Sequence, residues 1–183
     1  GTINPLAIFP SYKAIRGLPL DEQITHLQDP EFRNKIKTEQ PVHHRNPDAK
    51  RFTTSYTEMY PLDDSLSYEP TANDSIQAIA DGTGRHHLDV LMEALAEQRP
   101  SIFFVAGYKG TLDPYFDAIA NDQSVFGLSD GGAHCGVLCD ASVPTYMMSY
   151  VARDREKTLP LELVVNRMTE NTASVYGPVS YTH

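Results

Sequence analysis

Ser124-Val125-Phe126-Gly127-Leu128-Ser129-Asp130-Gly131-Gly132-Ala133-His134 reads as an apolar strand that runs straight into a carboxylate, two glycines and an imidazole. An apolar run without polar alternation marks a strand buried on both faces, as in parallel sheets. In parallel α/β sheets and barrels, ligands sit outside the carboxyl ends of the strands. Asp130 stands at such an end. Gly131 and Gly132 permit close backbone approaches that a side chain blocks. His134, four positions on, is placed to turn back over the same mouth. The same Asp-Gly pair also makes an ordinary turn, in which Asp130 only caps the next segment and His134 is a hydrogen-bonding turn residue.

Working outward, the flanks repeat a helix–strand rhythm. Upstream, Asp74 and Ser75 are N-cap candidates for a helix carrying Ile76, Ile79 and Ala80, ended by Gly82 and Gly84. A second helix runs from His87 to Gln98, with Leu88, Leu91, Met92 and Leu95 on one stripe. Ser101-Ile102-Phe103-Phe104-Val105-Ala106 is another buried-type strand, and Asp113-Pro114 opens the helix of Phe116, Ile119 and Ala120. Downstream, helices are predicted from Pro144 to Arg153, from Pro160 with Leu161, Val164, Val165 and Met168 on one face, and from Glu170 to Tyr176. Gly177-Pro178 stops the last one. Strands alternating with helices imply a parallel sheet covered by helices.

Residues 1–73 differ in character, being rich in proline, charge and isolated aromatics. Leu20, Ile24 and Leu27 give a helix after Pro19, and a second runs from Pro30 through Ile36. His43 to Asp48 is a loop by composition, Arg51 to Tyr56 a short strand, and Pro61 to Asp64 a turn. The chain thus divides into an irregular segment, 1–73, and a regular segment, 74–183.

Composition narrows the function. A length of 183 residues fits one domain or a large piece of a bigger one, and 40% hydrophobic residues suffice for a core. The net charge of −9 comes without a basic stripe, against nucleic acid as a partner. No apolar run approaches the roughly 20 residues of a membrane span. The start at Gly1 has no signal-peptide pattern and reads as a trimmed or internal start. Two cysteines without such a signal fit a reducing cytoplasm.

Other candidate motifs fall away on spacing. Cys135 and Cys139 lack the second C-x2-C pair of a zinc ribbon. In His43-His44 and His86-His87 neighbouring side chains diverge, so neither pair readily chelates one metal. Ser129 lacks the G-x-S-x-G elbow of a hydrolase nucleophile. Gly82-Thr83-Gly84 lies between helices, unlike a dinucleotide fingerprint.

Three stretches together carry a resemblance: Val125 to His134, then Cys139-Asp140-Ala141-Ser142-Val143-Pro144-Thr145-Tyr146, then Leu161 to Gly177 with Arg167-Met168-Thr169-Glu170-Asn171-Thr172-Ala173. They resemble the C-terminal part of the metal-dependent amidohydrolase superfamily, in the branch of the N-acyl-D-amino-acid deacylases (D-aminoacylases). The likeness is strongest over residues 74–177 and looser before them. It implies an α/β fold, the last βα units of a (β/α)8 TIM-type barrel, with residues 1–73 a Pro-rich, partly helical insertion. It implies one or two divalent metals, usually zinc, at the strand ends. Asp130 matches the eighth-strand Asp that touches the metal, takes the proton of the metal-bound water and delivers it to the leaving amine. His134 matches a position that contacts substrate in some relatives.

The chain departs from that family in having no H-x-H anywhere. A complete barrel takes about 250 residues. The resemblance therefore implies a segment of a longer hydrolase of amide C–N bonds, acting on an N-acyl-D-amino acid or related small amide. The rest of that chain is its partner, and the segment alone is expected neither to hold metal tightly nor to hydrolyse. The alternative is a half-barrel binding module without chemistry; a nucleoside or cyclic-amide hydrolase of the same superfamily is a third possibility. Exposed strand edges and apolar faces would favour a homo-oligomer or a rearranged sheet. Phe52, Tyr56, Tyr60 and Tyr68 either cover the active-site mouth or pack the surface.

Overall fold

The computed structural model describes residues 4–61, 67–97, 102–104, 108, 110–127, 129, 131–132 and 140–177. The chain forms two packing units, Ile3–Thr111 and Leu112–His183.

The first unit is built from helices whose starts are written locally. Asn4 accepts from the Leu6 N–H at 2.8 Å and caps a 3-10 turn, Pro5–Ile8. Helix α1 (Pro10–Ile15) comes next, and its first turn is bound by Glu39, whose carboxylate accepts from the Ser11 N–H and, at 2.8 Å, from the Ser11 hydroxyl. Helix α2 spans Leu20–Gln28. Helix α3 (Pro30–Thr38) starts on Asp29, which accepts from the Glu31 N–H at 3.0 Å. Of the α2 stripe only Leu27 is fully enclosed; Leu20, in the first turn, is 62% exposed.

Arg51 to Tyr56 is not a strand. Helix α4 covers Pro47–Thr54, and a 3-10 turn, Tyr56–Glu58, succeeds it. Pro47 pre-sets the helical φ at the start. The Thr53 and Thr54 hydroxyls each donate back to the Lys50 carbonyl at 2.9 Å, which accommodates two β-branched residues in a helix end. An Arg51–Glu58 ion pair closes the turn.

Helix α5 (Ile76–Thr83) begins with Ser75 accepting from the Ala78 N–H at 3.1 Å and ends on Gly84, whose φ of +66° suits glycine. Helix α6 (His87–Ala96) is the centre of this unit. It packs against α2, α3 and α5. Leu88, Val90, Leu91, Met92, Ala94 and Ala96 are all buried, a wider face than the predicted stripe. Around it Leu6, Ile8, Tyr12, Ile36, Met59 and Ile76 complete one apolar core.

The sheet among the described residues is one antiparallel pair, β1 (Met59–Pro61) with β2 (Ile102–Phe104), in the register Met59 to Phe104 and Pro61 to Ile102. The β2 segment is thus a strand as predicted, with a different neighbour. Its partner went unread because β1 is three residues long and ends in proline, which suits a strand end.

In the second unit, helix α7 (Asp113–Ala120) opens with Pro114. Helix α8 (Val143–Tyr146) runs on into a π-helix, Met147–Asp154, with the Arg155 N–H donating to the Tyr150 carbonyl five residues back. Met147 and Val151 are buried, and the Tyr146 and Tyr150 rings stack at 5.2 Å. Helices α9 (Leu161–Met168) and α10 (Glu170–Tyr176) complete the unit. The α9 face is not the predicted one. Val164 and Arg167 are buried, whereas Leu161 and Val165 are exposed.

Residues 124–127, predicted as a strand, take no regular secondary structure. Carbonyls in this stretch meet side chains of α10 instead of a neighbouring strand. The packing units also divide differently from the sequence segments 1–73 and 74–183, because α5 and α6 build their core with the N-terminal helices.

Candidate functional site

Asp130 and His134 lie outside the described residues, as do Cys135 and Cys139. Of the segment leading to Asp130, residues 124–127 and 129 are described, and so are the groups that bond to residues 124 and 126. The Thr172 hydroxyl on α10 lies 2.9 Å from the Phe126 carbonyl and 2.9 Å from the Arg167 carbonyl, in donating position to both. In the orientation that satisfies both ends of its amide, Asn171 donates to the Ser124 carbonyl at 3.1 Å and accepts from Arg167 Nη1 at 3.2 Å. Arg167 Nη2 in turn donates to the Ala120 carbonyl at 3.0 Å and to the Asp122 carboxylate at 2.7 Å. The Arg167-to-Ala173 motif and the Ser124-to-His134 motif, separate in sequence, are therefore joined by hydrogen bonds from one to the backbone of the other.

Gly131 stands directly after Asp130. A Cβ at Gly131 would stand 3.3 Å from the Ala141 Cβ, closer than most side-chain contacts allow. The glycine here serves a close approach to the 3-10 turn Asp140–Ser142. A Cβ at Gly132 would meet nothing within 4 Å.

On α7, Asp113 is bound by Arg155 and Lys157, the latter at 2.6 Å. The hydrogen bonds from Lys157 and Arg155 hold its carboxyl well down, at about 2. The Arg155 guanidinium also lies over the Phe116 ring, 4.5 Å from its centroid. This cluster ties the start of α7 to the end of the π-helix.

The histidines fall elsewhere. His43 and His44 are exposed. His86 is the N-cap of α6, its Nδ1 accepting from the Leu88 N–H at 3.2 Å, a role that requires the unprotonated nitrogen. The His87 ring stacks on Tyr56 at 4.2 Å and lies 4.4 Å from the His86 ring. Burial lowers the His87 pKa, the neighbouring His86 lowers it further, and Asp81 opposes both. Burial pushes the Tyr56 hydroxyl up to about 12. Tyr60 is buried edge-on to Tyr108 at 5.8 Å. Tyr56 and Tyr60 therefore pack inside the Ile3–Thr111 unit. Sequence pattern missed the Tyr56–His87 stack because the two residues share no periodicity.

Among the described residues no group of three or more His, Cys, Asp or Glu side chains is placed to hold a metal ion. No helix among them is long and apolar enough to cross a membrane. Comparison of the chain with protein-family models, with curated proteins and with solved structures finds no match.

Proposed function

We propose that this chain is the C-terminal segment of a metal-dependent amidohydrolase. In this reading it forms the last βα units of a TIM-type barrel with an insertion, and it contributes to hydrolysis of the amide bond of an N-acyl-D-amino acid or related small amide. Asp130 is the proton-handling carboxylate and His134 contacts substrate. The supporting observation is the hydrogen bonding of Thr172 and Asn171 to the carbonyls of Phe126 and Ser124. A carboxylate that shuttles protons must be held to within a fraction of an ångström of its target. Side chains that pin the backbone at residues 124 and 126, a few positions before that carboxylate, support this reading.

The reading requires a divalent metal, zinc, whose other ligands stand outside this sequence. The acidic balance and two cysteines suit a cytoplasmic enzyme.

The test uses the natural protein that carries this sequence. Its zinc content and its hydrolysis of N-acetyl-D-amino acids are measured with and without Asp130→Ala. Metal-dependent hydrolysis that falls about 10²–10⁴-fold in the variant supports the reading, on the usual scale for removing a general acid–base group. Undiminished hydrolysis in Asp130→Ala overturns it. So does a protein that binds no metal and cleaves no amide, which leaves the binding module. Tight stoichiometric zinc binding by the 183-residue chain alone also counts against it.

A further inference from the structure

Three aromatic rings stand in a row at the start of α6. The outer one, His86, is exposed. Its ring centroid lies 4.4 Å from that of His87, which lies 4.2 Å from that of Tyr56. The Leu88 N–H belongs to the first turn, where a helix offers no carbonyl of its own. His86 Nδ1 supplies the acceptor, and the His86 carbonyl accepts from the Asp89 N–H at 2.8 Å, so one residue holds two of the first N–H groups. The charges around the row are engaged. Asp89 pairs with Lys37 of α3, Glu93 with Arg85, and Glu58 with Arg51. Asp81 on α5 accepts from Gln77 at 2.8 Å and acts on His87 against the effect of His86. On α2, Asp21 and Glu22 are exposed and His26 lies against Phe32.

From the row of rings and the cap we infer that His86 and His87 form an acid-sensitive latch on the first turn of α6. Neutral His86 carries its proton on Nε2 and accepts at Nδ1. A second proton occupies Nδ1 and turns it into a donor facing the Leu88 N–H, so the cap is lost. The imidazolium then stands beside the His87 ring and at the positive end of the helix dipole. A proton on His87 adds a like charge at ring-contact distance, and the two rings relieve it by parting. His87 leaves Tyr56, and the first turn frays up to the Lys37–Asp89 pair. Leu91 and Met92, both fully buried, keep the rest of α6 in place. An imidazole ordinarily changes its charge between about pH 5 and 8, so the latch opens in mildly acid solution. It stands independently of the role given to Asp130.

The test is amide hydrogen exchange of the 183-residue chain, read by NMR and corrected for the chemical rate at each pH. Between about pH 7.5 and 5.5 the protection of Leu88 and Asp89 should fall about fivefold to tenfold, the scale of a lost cap, while Leu91 and α5 hold theirs. The ring-current shift that His87 imposes on Tyr56 should fade over the same range. His86→Asn keeps an N-cap acceptor that does not titrate and should hold the Leu88 protection at both pH values. Should that variant not fold by far-UV circular dichroism, His86→Ser supplies the same kind of acceptor. His87→Phe keeps a ring against Tyr56 and removes the second charge, so the Tyr56 shift should stop depending on pH. Unchanged Leu88 protection in the natural sequence overturns the inference. An equal loss in a folded His86 variant overturns it as well. So does an equal loss at Leu91 and in α5, which would mean that the unit unfolds as a whole.

Discussion

The two packing units are held by different physics. In Ile3–Thr111 one helix, α6, buries nearly its whole circumference in a continuous apolar core. In Leu112–His183 the fully enclosed apolar side chains among the described residues are few and scattered, Phe116, Met147, Val151 and Val164 foremost. There the order comes from directional bonds: Arg167 to Ala120 and Asp122, Thr172 to Phe126, Asp113 to Arg155. Apolar burial is non-directional and tolerates small shifts. Hydrogen bonds to named carbonyls fix position, here that of the backbone at residues 120, 124 and 126.

The contrast is most easily broken at α6. Leu91 is fully buried, and Leu91→Ala should cost about 2–5 kcal/mol in urea unfolding of the chain. A loss under about 1 kcal/mol would mean that the core of this unit collapses around the gap and is not close-packed. Thr172→Val keeps the shape of the side chain but removes the one hydroxyl proton that the Phe126 and Arg167 carbonyls share. It should cost about 1–3 kcal/mol and speed hydrogen exchange at residues 124–127 while α6 stays protected. Exchange rising equally in α6 would erase the distinction between the units. Ser75→Ala removes the α5 cap, worth about 1 kcal/mol, and should be felt in the first unit alone.

Acid separates the units further. His87 has a folded pKa below its ordinary 6.5, so the unfolded chain binds more protons in that window. Its contribution to stability is complete above about pH 6.5 and is lost as pH falls through the folded value. Asp113, held at about 2, contributes above its ordinary 3.8 and loses that contribution only as pH falls through 2. The first unit should therefore begin to weaken near pH 6, and His87→Phe should flatten that limb of a stability–pH curve. The Tyr56 hydroxyl, raised to about 12, adds an alkaline loss that sets in above its ordinary 10 and is complete beyond 12.

Legible in the sequence were the helix boundaries that depend on a cap or a proline a few residues away: Pro30, Ser75, Gly84 and Pro114. These signals are local and act on neighbouring N–H and C=O groups. Arg51 to Tyr56 misled because β-branched residues favour strands, while the Thr53 and Thr54 hydroxyls bond to Lys50 and permit a helix. The α9 face misled because periodicity counts apolar residues, and the residue turned inward is Arg167. The bonds made by Thr172 and Arg167 span more than forty residues of chain and leave no periodic trace. Asp130 and His134 lie outside the described residues, and the side chains that bond to the backbone of residues 124 and 126 left no mark in the sequence pattern.

The π-helix from Met147 to Asp154 takes up a residue without turning the charge outside it. Each wide turn is an α-helical turn carrying a surplus residue. Deleting Ser149, one of that run, would let a turn close to 3.6 residues while the chain beyond it keeps nearly its heading. Arg155, the next residue after the run, would stay in reach of both Asp113 and the Phe116 ring. The widened winding thus acts as slack, and a chain shortened there by one residue should form a more regular helix with its guanidinium still on target.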